Sequence, residues 1–441
     1  VDKNDDLVVS INTIEQKIIK VNRQTNRIAA VNFTAPKENP NISFFDIAID
    51  GTDNIFLLYT IFNSMVFLRP ANSNDNTLTV FAGSKLFNSN TNNIPATNAS
   101  LGGSINSGFF LKSKVVGDIF GNIFINDSFN GLILKIGDNK LINTVAGNGP
   151  RPGYFPKQGD GKPATDPEVS LLPTSFSVDQ AGNIYIVDLG QIVRIVNGQT
   201  GIIDTFAGNP NKRKGTGDGK LATQAGLGSP TDVTIDNTGD LLIVANNLIR
   251  RVDANTKIIN TIAGNGNSSI SGDGGLAINA GISPIDIVCD RQGNIYISEL
   301  TVQGVCIIRR IDAETGIITR VAGNGTSIFG AEGKPATETG LGEITSLVVN
   351  SSGDIFIGAI ERKFSGLNSL KKPRVWRVDG KTGIITILID SQNGEFSGDE
   401  GSVTNASLGG VPYVALDKNE NLLVLSSDFR ACAIRLVKLQ K

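Results

Sequence analysis

One short phrase returns along the chain at a nearly constant interval, and that periodicity limits the fold more than any other feature. It reads Thr144-Val145-Ala146-Gly147-Asn148-Gly149, then Thr205-Phe206-Ala207-Gly208-Asn209, then Thr261-Ile262-Ala263-Gly264-Asn265-Gly266. It returns as Val321-Ala322-Gly323-Asn324-Gly325, with a weaker copy at Val80-Phe81-Ala82-Gly83. The glycines at 83, 147, 208, 264 and 323 lie 56 to 64 residues apart. Such an interval marks a solenoid or a propeller, and the content of each unit decides between them.

Each unit carries two runs of β-branched and aromatic residues joined by a polar turn, as in Phe176 to Asp188, Val233 to Val244, Ile285 to Ile297, Leu347 to Ile357 and Val414 to Leu425. This pattern is a hairpin. Asp179, Asp236, Asp290, Asn350 and Asp417 stand where a side-chain oxygen can take backbone amides of the turn, with Gly182, Gly239, Gly293 and Gly353 supplying a positive φ. A third run pairs apolar residues with a recurrent arginine: Arg194, Arg250, Arg309 and Arg377. A fourth follows a Gly or Asn turn, as in Thr315-Gly316-Ile317-Ile318-Thr319. Four antiparallel strands without a helix-period segment make a propeller blade.

The reading is therefore an all-β chain, one β-propeller domain over residues 1–441. Complete blades are expected at 44–83, 109–147, 174–208, 230–264, 284–323 and 345–389. The stretch 412–439 supplies only the first three strands of a blade. Residues 1–33 hold the complement, with Arg27 to Asn32 read as the fourth strand, so that 1–33 and 412–441 together close a seventh blade and leave no open edge. Leu7 to Ile11 and Lys17 to Val21 both read as β, which leaves one strand surplus. Six blades with a separate terminal piece is the main alternative, and eight is a third.

These phrases resemble the NHL-repeat family, in the extracellular, adhesion-type branch whose units read TxAGNG, then GDGxxAT, then D-x-x-GN followed by hydrophobic-Tyr-hydrophobic. The resemblance is strongest over residues 140–325. It implies a propeller, and it spans extracellular adhesion modules, RNA-binding modules and a few enzymes. Amidating lyases of this type depend on histidine ligands, and this chain contains no histidine.

That absence removes the His general base, Ser-His-Asp and Cys-His arrangements, and His-ligated metals. The formal charge of −2 offers no broad footprint for phosphate backbones, so nucleic acid is an unfavoured partner. No apolar run is long enough for a membrane span. The three cysteines, Cys289, Cys306 and Cys432, exclude a fully paired framework. Cys289 and Cys306 sit in apolar runs and read as buried free thiols on strands separated by a third. The chain opens Val1-Asp2-Lys3 and its one Met is Met65. A removed leader or a fragment would both give this start, and secretion is the expectation.

Blade topology sorts the connections onto two faces. The acidic loops Gly159-Asp160-Gly161, Gly217-Asp218-Gly219, Gly272-Asp273-Gly274 and Gly398-Asp399-Glu400, with Ala331-Glu332-Gly333, are placed on the face of the strand-four-to-one and strand-two-to-three connections. One reading is calcium or a cationic partner over a ring of carboxylates. The other is Asp orienting a Gly turn, since each loop offers a single acid. Glu361 to Arg374 reads as a long basic connection carrying Lys363, Lys371, Lys372 and Arg374, either a binding loop or a solvated one. Glycosylation sequons fall at Asn32, Asn41, Asn98, Asn126, Asn267, Asn324, Asn350 and Asn405, all but Asn350 assigned to loops of that same face.

The functional expectation is a non-catalytic extracellular scaffold that binds protein or glycan, with a variant in which terminal strands join copies of the chain into fibres. A hydrolase or lyase at the central channel, built on carboxylates or calcium with Asp188 and Glu299 as conceivable members, is the second reading. An RNA-binding module is the third. No catalytic residue, metal site or resident cofactor is assigned.

Overall fold

The structure is a computed structural model. It describes residues 92–95, 115–118, 120–128, 130–137, 139, 141–149, 159–188, 191–300, 306–326, 328–362 and 371–390. It also describes strands at 9–11, 17–22, 27–32, 43–49, 55–61, 64–70, 78–82, 411–416, 422–427 and 432–437. The described chain is all-β apart from short 3-10 turns such as Ala222–Gln224, Ala277–Asn279 and Ala336–Glu338. Its strands form antiparallel sheets in which sequence neighbours pair in order.

Consider the unit of Pro173–Val178, Ile184–Asp188, Ile192–Val196 and Ile202–Ala207, here termed positions a to d. Position b is buried at every residue, and its neighbours in the next unit, Leu241–Ala245, are too. A strand buried on both sides must be covered on both faces. The cover is the adjacent sheet: Tyr185, Val187, Val193 and Phe206 pack with Val233, Leu241, Ile243 and Val252 of the next unit. The core thus lies between successive sheets.

The hairpin turns behave as their residues dictate. Asp179 Oδ1 accepts the N–H groups of Ala181 and Asn183, at 2.9 and 2.8 Å. Asp290 does the same for Gln292 and Asn294, and Asn350 for Ser352 and Asp354. The residue four positions on then reaches the c–d turn: Asn183 accepts from Gly198, Asp240 from Ala254, Asn294 from Ala313 and Asp354 from Gly380. In these four sheets, two turns at one end are held by one pair of side chains. Asp417 lies outside the described residues.

Three features differ from the sequence reading. First, several sheets have five strands: Ile94–Pro95, Lys162–Pro163, Lys220–Leu221 and Lys334–Pro335 each add to the outer edge of a d strand. Second, this strand relocates the acidic loops. Gly161 N–H donates to Ile203 O and Ala164 N–H to Gly201 O. The Gly-Asp-Gly phrase therefore runs beside the start of strand d and the c–d turn, and is not part of the opposite face. Third, Val9–Ile11 pairs with Cys432–Val437, whereas Arg27–Asn32 pairs with Lys17–Asn22 in a separate two-stranded sheet.

The same stretch clasps neighbouring units. Ala164, Ala222, Ala277 and Ala336 are buried, and their carbonyls accept the N–H of Gly147, Gly208, Gly264 and Gly323 in the preceding sheet. Their own N–H groups donate to Gly201, Lys257, Gly316 and Gly383 of the following sheet. The two phrases that identify the repeat in sequence are two halves of one joint.

Cys289 and Cys306 are free thiols on positions a and c, with Ile295–Leu300 between them. Burial pushes Cys289 up to about 12, helped by the charges of Asp236 and Asp290, and burial likewise pushes Cys306 up to about 11. Only the thiolate reacts with alkylating agents. Both should therefore stay unmodified by iodoacetamide at pH 8 in the native protein, as read by peptide mass mapping. Labelling as fast as in denaturant would contradict this burial.

Candidate functional site

The sequence-assigned acids are the first place to look for chemistry. Arg194, Arg250 and Arg309 are fully buried, and each meets the acid of its Gly-Asp-Gly phrase: Asp160 at 2.6 Å, Asp218 at 2.7 Å and Asp273 at 2.8 Å. A carboxylate turned onto a buried guanidinium is committed to neutralising it, since a buried unpaired charge is costly. Asp160, Asp218 and Asp273 therefore sit at the outer edges of separate sheets, each in its own ion pair, and do not converge. Asp399 lies outside the described residues.

The fourth arginine of the sequence pattern belongs to another row. Arg194, Arg250 and Arg309 stand opposite Ile186, Ile243 and Ile297, and the residue opposite Ile357 is Trp376. Arg377 stands one position later with Arg251 and Arg310, partly exposed, where it pairs with Asp354 at 2.8 Å. Trp376 replaces the buried guanidinium with an indole, and Glu332 in the matching loop accepts instead from Ile387 N–H.

Asp188 and Glu299, conceivable channel acids, are wholly buried at the ends of b strands. Asp188 Oδ1 accepts the Leu172 N–H at 2.9 Å. Glu299 Oε1 accepts the Ser283 N–H at 2.7 Å, while Oε2 lies 3.4 Å from Arg309 Nη1. Burial raises the Glu299 carboxyl above its usual range, opposed by Arg309 and the Ser283 N–H. Each acid anchors the entry to strand a of its own sheet.

The basic connection is shorter than its sequence suggests. Strands Ile355–Arg362 and Lys371–Val378 continue their ladder out to Arg362 opposite Lys371, with Glu361 opposite Lys372. Arg374 is buried: it pairs with Asp390 at 2.8 Å and sits in the corner formed by the rings of Phe329 and Trp376, 4.4 and 4.5 Å from their centroids. An arginine stacked on two aromatic faces and paired with a carboxylate is a packing element. Lys363 lies outside the described residues, as does the side chain of Lys371.

The sequons divide similarly. Asn126 is on strand Ile123–Asp127, fully buried, with Nδ2 donating to Ser128 Oγ at 3.0 Å, so the folded chain offers no acceptor there. Asn350 is the buried turn cap already described. Asn267 and Asn324 are exposed. Asn41, Asn98 and Asn405 and the side chain of Asn32 lie outside the described residues.

One cavity combines size with polar lining. A cleft of about 590 Å³ opens between the 284–322 sheet and the 343–390 sheet, at the end that carries the a–b and c–d turns. One wall holds Asp290, Gln292, Asn294, Tyr296 and Arg310, and the other Ser351, Ser352, Asp379 and Thr382. Asn294 Oδ1 accepts from Arg310 Nη2 at 2.7 Å, and Gln292 Nε2 crosses the cleft to Ser351 O at 3.1 Å. Burial and the neighbouring Asp290 push the Tyr296 phenol up to about 12, so it stays a neutral donor and acceptor. A matching cleft of about 300 Å³ between earlier sheets is lined by Ile195, Phe206, Leu221 and Lys257. Arg310 stands where that cleft has Ile195. Sequence reasoning missed the cleft, because its walls are turn residues of two different units.

Among the described residues, no group of three or more acids and cysteines is placed to hold a metal ion, and no helix is long and apolar enough to cross a membrane. No family model matches the chain. Over 121 residues, 26% of the chain, it is 34% identical to NHL repeat-containing protein 2 of Gallus gallus. The chain covers 16% of the length of that relative. A streptogramin B lyase structure is similar with a TM-score of 0.50 at 12% identity, covering 98% of both chains. A protein of unknown function from Bacteroides thetaiotaomicron is similar at 0.45 and 14%, covering 99% of this chain and all of the other. The architecture is that of a β-propeller, supported by the similarity to the streptogramin B lyase structure and to an NHL-repeat protein.

Proposed function

We propose that this chain is a non-catalytic extracellular propeller of seven blades, closed where Val9–Ile11 joins the three C-terminal strands, and that it binds a glycan in the cleft between the 284–322 and 343–390 sheets. The observation that carries this reading is the contrast between the acids and the cleft. Asp160, Asp218, Asp273 and Glu299 are held in ion pairs with buried arginines, and Asp188 takes a backbone N–H, away from any common centre. The cleft instead presents amide, hydroxyl, carboxylate and guanidinium groups from both walls, at a volume typical of ligand sites. Neighbouring hydroxyls of a sugar ring match such planar side chains two at a time. The absence of histidine agrees with binding without turnover.

The test is a glycan array followed by titration calorimetry with Ser352→Trp, which fills the cleft from an exposed turn. Binding to a defined glycan, lost by at least tenfold in the variant, is the expected result. Binding to proteins alone would transfer the cleft to a peptide partner. Hydrolysis or elimination of any bound glycan would overturn the non-catalytic reading.

A further inference from the structure

The repeat allows each sheet to be compared with its neighbours at the same position, and one sheet lacks a group that its neighbours have. Asp188, Ala245 and Glu299 stand at or next to the ends of their b strands, opposite Pro173, Pro230 and Pro284. Two of the three are carboxylates beside a buried arginine. In the 284–322 sheet, Glu299 joins the Ser283 N–H to Arg309 Nη1, and that guanidinium is engaged at all of its nitrogens: Nε to Asp273, Nη1 also to Gly281 O, and Nη2 to Ser271 O. In the 173–207 sheet, Asp188 takes the Leu172 N–H, and its charge acts on Arg194 together with that of Asp160.

The 230–263 sheet has a methyl group there. Ala245 is buried, and Arg250, also fully buried, uses only Nη2, toward Asp218 at 2.7 Å and Thr216 O at 3.4 Å. Its Nε and Nη1 are buried without a hydrogen-bond partner. Ser229 stands where Leu172 and Ser283 stand, ahead of Pro230, with Ala245 in place of the carboxylate that accepts their N–H groups. Arg250 has one carboxylate partner, half exposed, where Arg309 has two. Ionised donors left unpaired in a buried site cost free energy that an acceptor recovers.

We propose that Arg250 and the Ser229 N–H form a binding site for a small carboxylate anion, which takes the place that Glu299 fills from within the chain in the next sheet. The guanidinium fork matches a planar carboxylate, which two parallel N–H groups can hold while its second oxygen reaches the backbone amide. A carboxylate is the ligand class because the chain itself places carboxylates at this position on either side.

The test uses the full chain. Thermal unfolding is followed at pH 7 while sodium formate replaces sodium chloride at constant ionic strength, in the natural protein and in Ala245→Asp, which restores the acid found at Asp188. The natural protein should show a saturable rise of a few degrees in Tm, since a ligand that binds only the folded state stabilises it by mass action. Ala245→Asp should start higher in chloride and show no response. A flat response in the natural protein, or equal responses in both, would overturn the site. If Ala245→Asp does not fold, a crystal structure of the natural protein grown in formate decides. Planar three-atom density on the Arg250 guanidinium supports the site, and a lone water there refutes it.

Discussion

Arg309→Leu is expected to destabilise the protein by about 3–5 kcal/mol, the usual cost of removing one partner from a buried ion pair. The guanidinium is fully buried and joins Asp273, Glu299, Gly281 O and Ser271 O. Without it Glu299, itself fully buried, keeps only the Ser283 N–H against the cost of its charge. Its carboxyl, already raised above its ordinary 4.5 by burial, should rise further once the opposing arginine is gone. The sign of the pH dependence follows. A folded pKa above the unfolded one means that the folded state binds more protons between the two values, so the variant gains stability as pH falls. Its deficit against the natural protein, measured by urea midpoints, should be larger at pH 8 than near pH 5. Glu299→Leu combined with Arg309→Leu should recover part of the loss, because the stranded charge goes too. Arg377→Leu is the contrast. That side chain is 31% exposed and paired with Asp354, so its loss should cost about 1 kcal/mol or less. Equal effects at the two positions would mean that the two rows of arginines are not physically distinct.

Those two rows also show how far the residues alone could be read. The four runs of each unit, the acidic caps of the a–b turns and the free state of Cys289 and Cys306 were legible, because each follows from local pattern and turn chemistry. The place of Arg377 was not. Ile-Arg-Arg-Val-Asp and Val-Trp-Arg-Val-Asp both contain an arginine, and only the pairing of Trp376 with Ile357 reveals that the tryptophan holds the buried position. The acidic loops failed for a related reason. A two-residue edge strand such as Lys162–Pro163 is too short to carry a period of its own, so the phrase around it reads as loop. Asn126 reads as a sequon, yet its neighbours Phe124 and Ile125 belong to a buried strand. The polar cleft was invisible because Arg310 and Thr382 come from consecutive units and meet only when the sheets stack.

Gly264→Ala, at one of these joints, should cost more than about 3 kcal/mol of stability. Two effects add. The backbone at Gly264 has φ +93°, which strains any residue carrying a Cβ. An added Cβ would also lie 2.2 Å from Asn247 O, a backbone atom of a tight hairpin that cannot swing aside as a side chain could. The same residue donates its N–H to Ala277 O at 2.8 Å, so relieving the clash pulls on the bond that joins the 230–263 sheet to the next. Gly266→Ala separates the two effects. Its φ of +87° carries the same conformational penalty, yet nothing lies within 4 Å of an added Cβ. That variant should lose only about 1–2 kcal/mol, the cost of left-handed backbone alone. Guanidinium denaturation of both variants gives the comparison. A Gly264→Ala loss no greater than that of Gly266→Ala would show that Asn247 can move and that the joint is compliant. A clear excess would mean that the glycine recurs along the chain because the hairpin of one sheet and the clasp to the next converge on a point with no room for a side chain.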